Sequence, residues 1–333
     1  MPCWLPLRAV LLALAVIATA VGCAGKQSAS GAARIGMVTD VGGLGDRSFN
    51  DSAYAGLVRA KTDLHVDTTV LQSRSAADYQ INLTVLANKE YDEIFAIGFL
   101  MARDVTEVSE RYPQRHFSII DAVVDQPNVT SVTFKEEEGS FLVGAVAALV
   151  GHSKKIGFVG GMDVPLIQKF EAGYRAGVKH VCSDCTVIAQ YAGVTPEAFR
   201  NPGKGKELAL NQYQQGVNII YHASGSTGLG VFEAARQTGK FAIGVDADQF
   251  NEAPGRIVTS MVKGIDVAVY DMIKLVRDRR FTGGIYTFGL AQNGVGYVYD
   301  AHNRALIPDA VRARLERIRA DIIAGTIAVP DAR

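Results

Sequence analysis

Few cysteines, few histidines and no excess of either charge occur in the 333 residues: four Cys, six His, and 34 Lys plus Arg against 34 Asp plus Glu. No basic stretch is interleaved with aromatics, so nothing attracts a polyphosphate backbone and no nucleic-acid partner is expected. Cys182 and Cys185 form a single C-x-x-C without a second pair or a histidine cluster beside it. The common zinc frameworks are thereby excluded, and neither a metal nor any other cofactor is expected. In an exported chain the pair reads as a local structural disulfide or two idle thiols, with a redox-active pair as the alternative. There is no H-E-x-x-H, no G-x-S-x-G and no P-loop. Gly225-Ser226-Thr227-Gly228-Leu229-Gly230 lacks a terminal Lys-Ser/Thr, and its glycine spacing is not the dinucleotide fingerprint. That turn reads as cleft lining, and no enzymatic activity is expected. The apolar run of residues 9–18 is too short for a stable membrane-spanning helix.

What is present begins with an export signal. Arg8 supplies the positive charge, residues 9–18 an apolar run, and residues 19–22 small side chains. Ala20-Val21-Gly22-Cys23 then resembles a bacterial lipobox, in which cleavage precedes the cysteine and the thiol takes a lipid, although Ala20 stands where leucine is commonest. The alternative is an ordinary signal peptide with an incidental cysteine. The expectation is a signal peptide over 1–22, then lipidated Cys23 and a flexible Ser/Ala/Gly tether over 23–33. Such a chain sits on the extracytoplasmic face of the cell membrane.

About 300 residues remain, enough for two domains of ordinary size. Short β-branched runs at 35–41, 68–71, 93–97 and 117–121 alternate with amphipathic segments at 48–61, 76–89 and 101–112. After a helical stretch at 136–150 the alternation restarts, with strands at 156–160, 186–191, 217–221 and 241–245. This pattern predicts an α/β protein of two doubly wound parallel-sheet lobes joined by a hinge, with a ligand cleft between them. The remainder offers a strand at 257–261, a helix at 266–279, a strand pair within 286–298 and a helix at 308–324. It is too little for a third domain and is expected to finish both lobes. Lobe 1 is set at 34–133 with a later segment of about 251–283, and lobe 2 at 134–250 with 284–333.

Ligands of open parallel sheets bind beyond the carboxyl ends of the strands. The loops there carry Asp40, Phe49 and Asn50 after the first strand, Asp121 after the fourth, Gly225 in the glycine-rich turn and Asp246 after a later strand. Asp40 and Asp121 can accept hydrogen bonds, Asn50 can donate and accept, and the Phe49 ring can face a flat ligand. The competing role for the polar three is capping or turn formation, and for Phe49 core packing. Tyr221 or His222, ahead of Gly225, is a candidate for a second stacking face, and either can instead pack inward.

Seven ordered blocks resemble a known family: Val38-Thr39-Asp40 with Ser48-Phe49-Asn50, Phe117-Ser118-Ile119-Ile120-Asp121, 128–134 with Glu138-Gly139-Ser140-Phe141-Leu142, Ile156-Gly157-Phe158-Val159-Gly160-Gly161, 225–232, Gly244-Val245-Asp246-Ala247-Asp248-Gln249, and Thr259-Ser260-Met261-Val262-Lys263. The family is that of the basic membrane proteins, lipoproteins also called the purine-nucleoside-receptor type of ABC substrate-binding proteins. The resemblance covers nearly the whole chain after the signal. It implies a type I periplasmic-binding-protein fold with a purine nucleoside in the cleft, aromatic rings on the base, Asp246 accepting from the ribose hydroxyls and Lys263 donating to the same sugar. The family commonly has phenylalanine where Tyr221 stands. A membrane permease of an ABC importer is the implied partner, and the receptor is expected to be a monomer.

Two rival functions are open. A nucleoside hydrolase also begins with an acidic strand end, but Gly42, Gly43 and Gly45 separate Asp40 from Asp46, whereas a hard cation wants clustered carboxylates. A surface lipoprotein of the same fold that senses a ligand or adheres to a partner would carry the same cleft.

Overall fold

The computed structural model describes residues 31–332 and Met1. The expectations for the export signal, for Cys23 and for the tether as far as residue 30 lie outside the described residues. Among the described residues no helix is long and apolar enough to cross a membrane. From Ala32 onward the chain forms one compact unit.

The first part alternates β1 (Arg34–Thr39), α1 (Phe49–Leu64), β2 (Asp67–Gln72), α2 (Ala77–Asn88), β3 (Glu93–Ile97), α3 (Ala102–Arg111), β4 (His116–Ile120) and β5 (Val129–Phe134). The second runs α4 (Glu136–Val150), β6 (Lys155–Met162), α5 (Pro165–Val181), β7 (Thr186–Gly193), α6 (Pro202–Gln214), β8 (Ile219–Ala223), α7 (Gly228–Thr238) and β9 (Phe241–Asp246). The chain ends with β10 (Ile257–Lys263), α8 (Ile265–Arg277), β11 (Gly284–Phe288), β12 (Val295–Tyr297) and α9 (Asp309–Ile323).

Two six-stranded sheets result, in the orders β11-β5-β4-β3-β1-β2 and β12-β10-β9-β8-β6-β7. Every ladder is parallel except β10 with β12. The central strands are apolar on both faces, as β3 with all five residues buried shows, because helices cover both sides of a parallel sheet. In each lobe the strand order reverses at the first strand, between β1 and β3 and between β6 and β8. A crevice opens at such a switch point.

The partition of the last 80 residues differs from expectation. β10 was placed in lobe 1 and β11 in lobe 2; the ladders put β10 beside β9 in lobe 2 and β11 beside β5 in lobe 1. The strand pair expected within 286–298 does not form, since β11 and β12 belong to different sheets. The physical reason lies in β5, a strand absent from the sequence reading, whose free edge takes up β11 from Gly284 to Phe288. Helix α8 packs on α1 of lobe 1, so the chain must return there directly after β10.

Three passages between the lobes follow: β5 to α4, β10 to α8, and β11 to β12. Three successive glutamates in the first turn of α4 tie them together. Glu136 pairs with Lys263 of the second passage at 3.4 Å and with Lys169 at 3.0 Å. Glu138 accepts the Leu290 N–H of the third passage at 2.7 Å. Carboxylates at a helix N-terminus also suit its dipole.

Cys182 and Cys185 are joined as a disulfide, Cα atoms 5.4 Å apart, across the turn from α5 to β7. Asp184 lies close to both sulfurs. The bridge leaves no thiolate there for a metal.

Candidate functional site

The carboxyl ends of both sheets face one cavity, the place where ligands of open parallel sheets bind. Asp40 follows β1, Gly98 follows β3, Asp121 follows β4, Ser224 and Gly225 follow β8, Asp246 ends β9, and Lys263 ends β10; all line it. Phe49 and Asn50 reach it from the first turn of α1. Of the expected residues, Asp40, Phe49, Asn50, Asp121, Gly225, Asp246 and Lys263 are thus brought together.

Tyr221 and His222 are not. Both are fully buried, Tyr221 packing against Phe158 and Tyr174 and facing the Ser140 hydroxyl at 3.3 Å, His222 lying edge-on to Phe232. The cause is a two-residue shift of β8. Val217 N–H bonds back to the Gln212 carbonyl over Gly216, whose φ is +93°, so Val217 closes helix α6 rather than opening the strand. The ladder then runs to Ala223, and Tyr221 and His222 fall in its middle.

The aromatic rings at the cavity are Phe49 and Phe99 from lobe 1 and Phe170 and Phe199 from lobe 2. Phe99 and Phe199 meet edge to face across the cleft, centroids 6.2 Å apart. Asp46, Phe99, Phe170 and Phe199 were missed as site residues. The three phenylalanines sit in helical turns, where their spacing reads as core; only the position of Phe99 just beyond β3 carried a signal.

The polar wall is tightly bonded. Asn50 Nδ2 donates to Asp40 Oδ1 at 2.9 Å and to Asp46 Oδ2 at 3.1 Å, and Asp46 also accepts the N–H groups of Ser48, Asn50 and Asp51. Gly98, at φ +120°, lets the backbone pass beside Asp40; a Cβ there would stand 3.1 Å from its Oδ2. Lys263 Nζ contacts Asp121 Oδ2 at 2.6 Å and lies 5.1 Å from the Phe49 ring centre. Burial works to lower the lysine's pKa, but the carboxylates of Asp121, Glu136 and Asp246 outweigh it and hold the ammonium protonated. Burial pushes the carboxyls of Asp40 and Asp246 upward, and that of Asp46 up to about 6. Two acceptors on the wall, Asn50 Oδ1 and Asp121 Oδ1, are buried without a hydrogen-bond partner. Such atoms suit a ligand that brings N–H or O–H donors.

Ser224 Oγ lies 3.3 Å from His222 Nδ1, but burial drives the imidazole down to about 4. Its weak basicity does not fit the activation of a serine nucleophile at neutral pH.

The family described as ABC transporter substrate-binding protein, PnrA-like, matches residues 33–333. A CD4+ T-cell-stimulating antigen of Listeria monocytogenes is 38% identical over 322 residues, covering 89% of this chain and 88% of the relative. The ABC transporter nucleoside-binding protein BmpA of Lactococcus lactis is 35% identical over 348 residues, covering 96% and 97%. A crystal structure from Aeropyrum pernix K1, of ABC transporter system solute-binding proteins, superimposes with a TM-score of 0.82 at 32% identity, covering 90% of this chain and 94% of that one. Two parallel-sheet lobes of periplasmic-binding-protein type, a cavity at their strand ends and a match over the whole described chain agree: the chain belongs to the PnrA-like family of ABC transporter substrate-binding proteins.

Proposed function

We propose that this substrate-binding protein captures a purine nucleoside between its lobes, on the extracytoplasmic face of the membrane where Cys23 anchors it, and delivers it to an ABC permease. The observation that carries the reading is the composition of the cavity wall: four phenylalanine rings, two from each lobe, beside buried acceptors that lack donors. Aromatic faces suit a flat base at about 1 to 3 kcal/mol per stacked ring. In this reading Phe49 takes one face and Phe199 stands where Tyr221 was expected. Asn50 and Asp121 accept from the polar edge of the base, and Asp246 with Lys263 holds the ribose hydroxyls. The relative in Lactococcus, named as nucleoside-binding, supports the ligand class.

Calorimetric titration of the purified full-length chain with adenosine, guanosine, inosine, uridine, cytidine, adenine and ribose tests this. Tight purine-nucleoside binding is expected, weakened about tenfold to a hundredfold in Phe49→Ala. Absence of binding to every compound refutes the nucleoside assignment, and release of free base establishes the hydrolase instead.

A further inference from the structure

Gln249 lies outside the cavity wall, is 2% exposed, and has its side chain engaged from both lobes. Its Oε1 accepts the Val245 N–H at 2.8 Å and faces His222 Nε2 at 3.1 Å. Its Nε2 donates across the cleft to the Arg47 carbonyl of lobe 1 at 2.9 Å. Its own N–H is held by Ser260 Oγ at 3.1 Å. The orientation is determined rather than free: the Val245 N–H can be accepted only by the amide oxygen, and His222 Nε2, facing that same oxygen, is then the donor to it. Only the amide nitrogen is left to point at lobe 1.

What it grips is the strap 42–48, which carries glycines at 42, 43 and 45 and places Arg47 at φ +56°. A second rung lies beside the first, Ser48 Oγ donating to Asp246 Oδ2 at 2.5 Å. At the rim Arg47 approaches Glu252 at 3.9 Å. The strap is also tied to the cavity, because Asp46 binds the backbone of Ser48 and the side chain of Asn50 together.

We infer that Gln249, oriented by the Val245 N–H, is an interlobe latch: it holds the closed lobes through the Arg47 carbonyl and so sets how long the ligand stays, without touching it. The consequence for rate, though not the latch itself, rests on the nucleoside reading. Closed-state contacts that the ligand does not make slow release and leave capture alone.

Gln249→Glu, studied at a pH where the new carboxyl is ionised, keeps the acceptor for Val245 and His222 but has no donor for Arg47; Gln249→Asn keeps an amide one methylene too short to serve both lobes. In the full-length chain, both are expected to raise the nucleoside dissociation rate about tenfold with the association rate unchanged, as for one buried hydrogen bond. Amide hydrogen exchange over 42–50 is expected to accelerate in parallel, while exchange in β3 and β8 stays as in the parent. Dissociation and strap exchange both unchanged in the two variants would overturn the latch, as would a slower association that accounts for the whole loss. If no nucleoside binds the parent chain, the ligand reading falls, and strap exchange alone then decides the latch.

Discussion

Glu93 opens β3 fully buried, and neither of its carboxylate oxygens has a hydrogen-bond partner. Ser118, two residues along from its ladder partner on β4, gives a partial offset without an aligned hydrogen bond. Burial pushes the carboxyl from its ordinary 4.5 up to about 8. Between those values the native state keeps a proton that the unfolded chain has released, so this residue makes stability fall as pH rises from 4.5 to 8. Glu93→Gln should leave stability unchanged near pH 4 and increase it by on the order of 2 to 4 kcal/mol at pH 8. Denaturant titrations at both pH values check this, and a variant less stable at pH 8 refutes it. Ligand affinity should not change, because Glu93 is at the opposite end of β3 from Gly98. The contrast with the cavity shows what a sequence can reveal of single residues. The positions of Asp40, Asp121 and Asp246 at the cavity were legible because each follows or ends a strand, and the carboxyl ends of parallel strands meet at the cleft. Phe170 and Phe199 were not, since a phenylalanine in a helical turn looks the same whether it faces a core or a ligand.

Helices α4 and α5 meet along a seam where backbones touch. A Cβ on Gly177 would collide with the Phe141 carbonyl oxygen, and one on Gly173 with that of Glu137. Gly177→Ala should therefore cost about 1 to 3 kcal/mol, as overpacking does, although alanine ordinarily stabilises a helix interior by about 0.5 to 1 kcal/mol over glycine. A urea midpoint that rises in the variant would rule out the close seam. The elements themselves were legible wherever apolar pattern and length agreed, as for α4 and β6. They failed where a neighbour took over a residue: Val217 went to the cap of α6, which displaced β8 by two positions. β5 failed for a different reason. In Val-Thr-Ser-Val-Thr-Phe the apolar positions do not strictly alternate, yet all but Thr133 are buried, because the strand is covered on both faces. Missing it also reversed the lobes of β10 and β11, since an unrecognised edge cannot be assigned its partner.

The whole molecule is bound together by the passages between its lobes. One buried apolar cluster runs from Ile35 and Met37 of lobe 1 through Phe134 and Met261 to Phe158 and Tyr174 of lobe 2, so the lobes share a core beneath the cleft. Lys263 belongs to the sheet of lobe 2 yet pairs with Asp121 of lobe 1 and with Glu136 at the hinge. Such a buried pair is strongly destabilising when one partner alone is removed. The two-lobed plan was readable from the repeated β-α alternation, but this coupling was not, because it depends on residues more than a hundred positions apart meeting at one hinge. The coupling predicts one cooperative thermal transition for both lobes. A ligand held between the lobes, present at a hundred times its Kd, adds about 2.7 kcal/mol to the native state. With an unfolding entropy of about 2.1 cal/mol/K per residue over roughly 300 residues, the midpoint should rise by about 4 °C. Scanning calorimetry with and without ligand distinguishes the cases. A single peak that moves as a whole is expected, since ligand, latch and hinge all require both lobes to be folded. Two peaks of which only one responds would place the binding energy within a single lobe and refute the shared cavity.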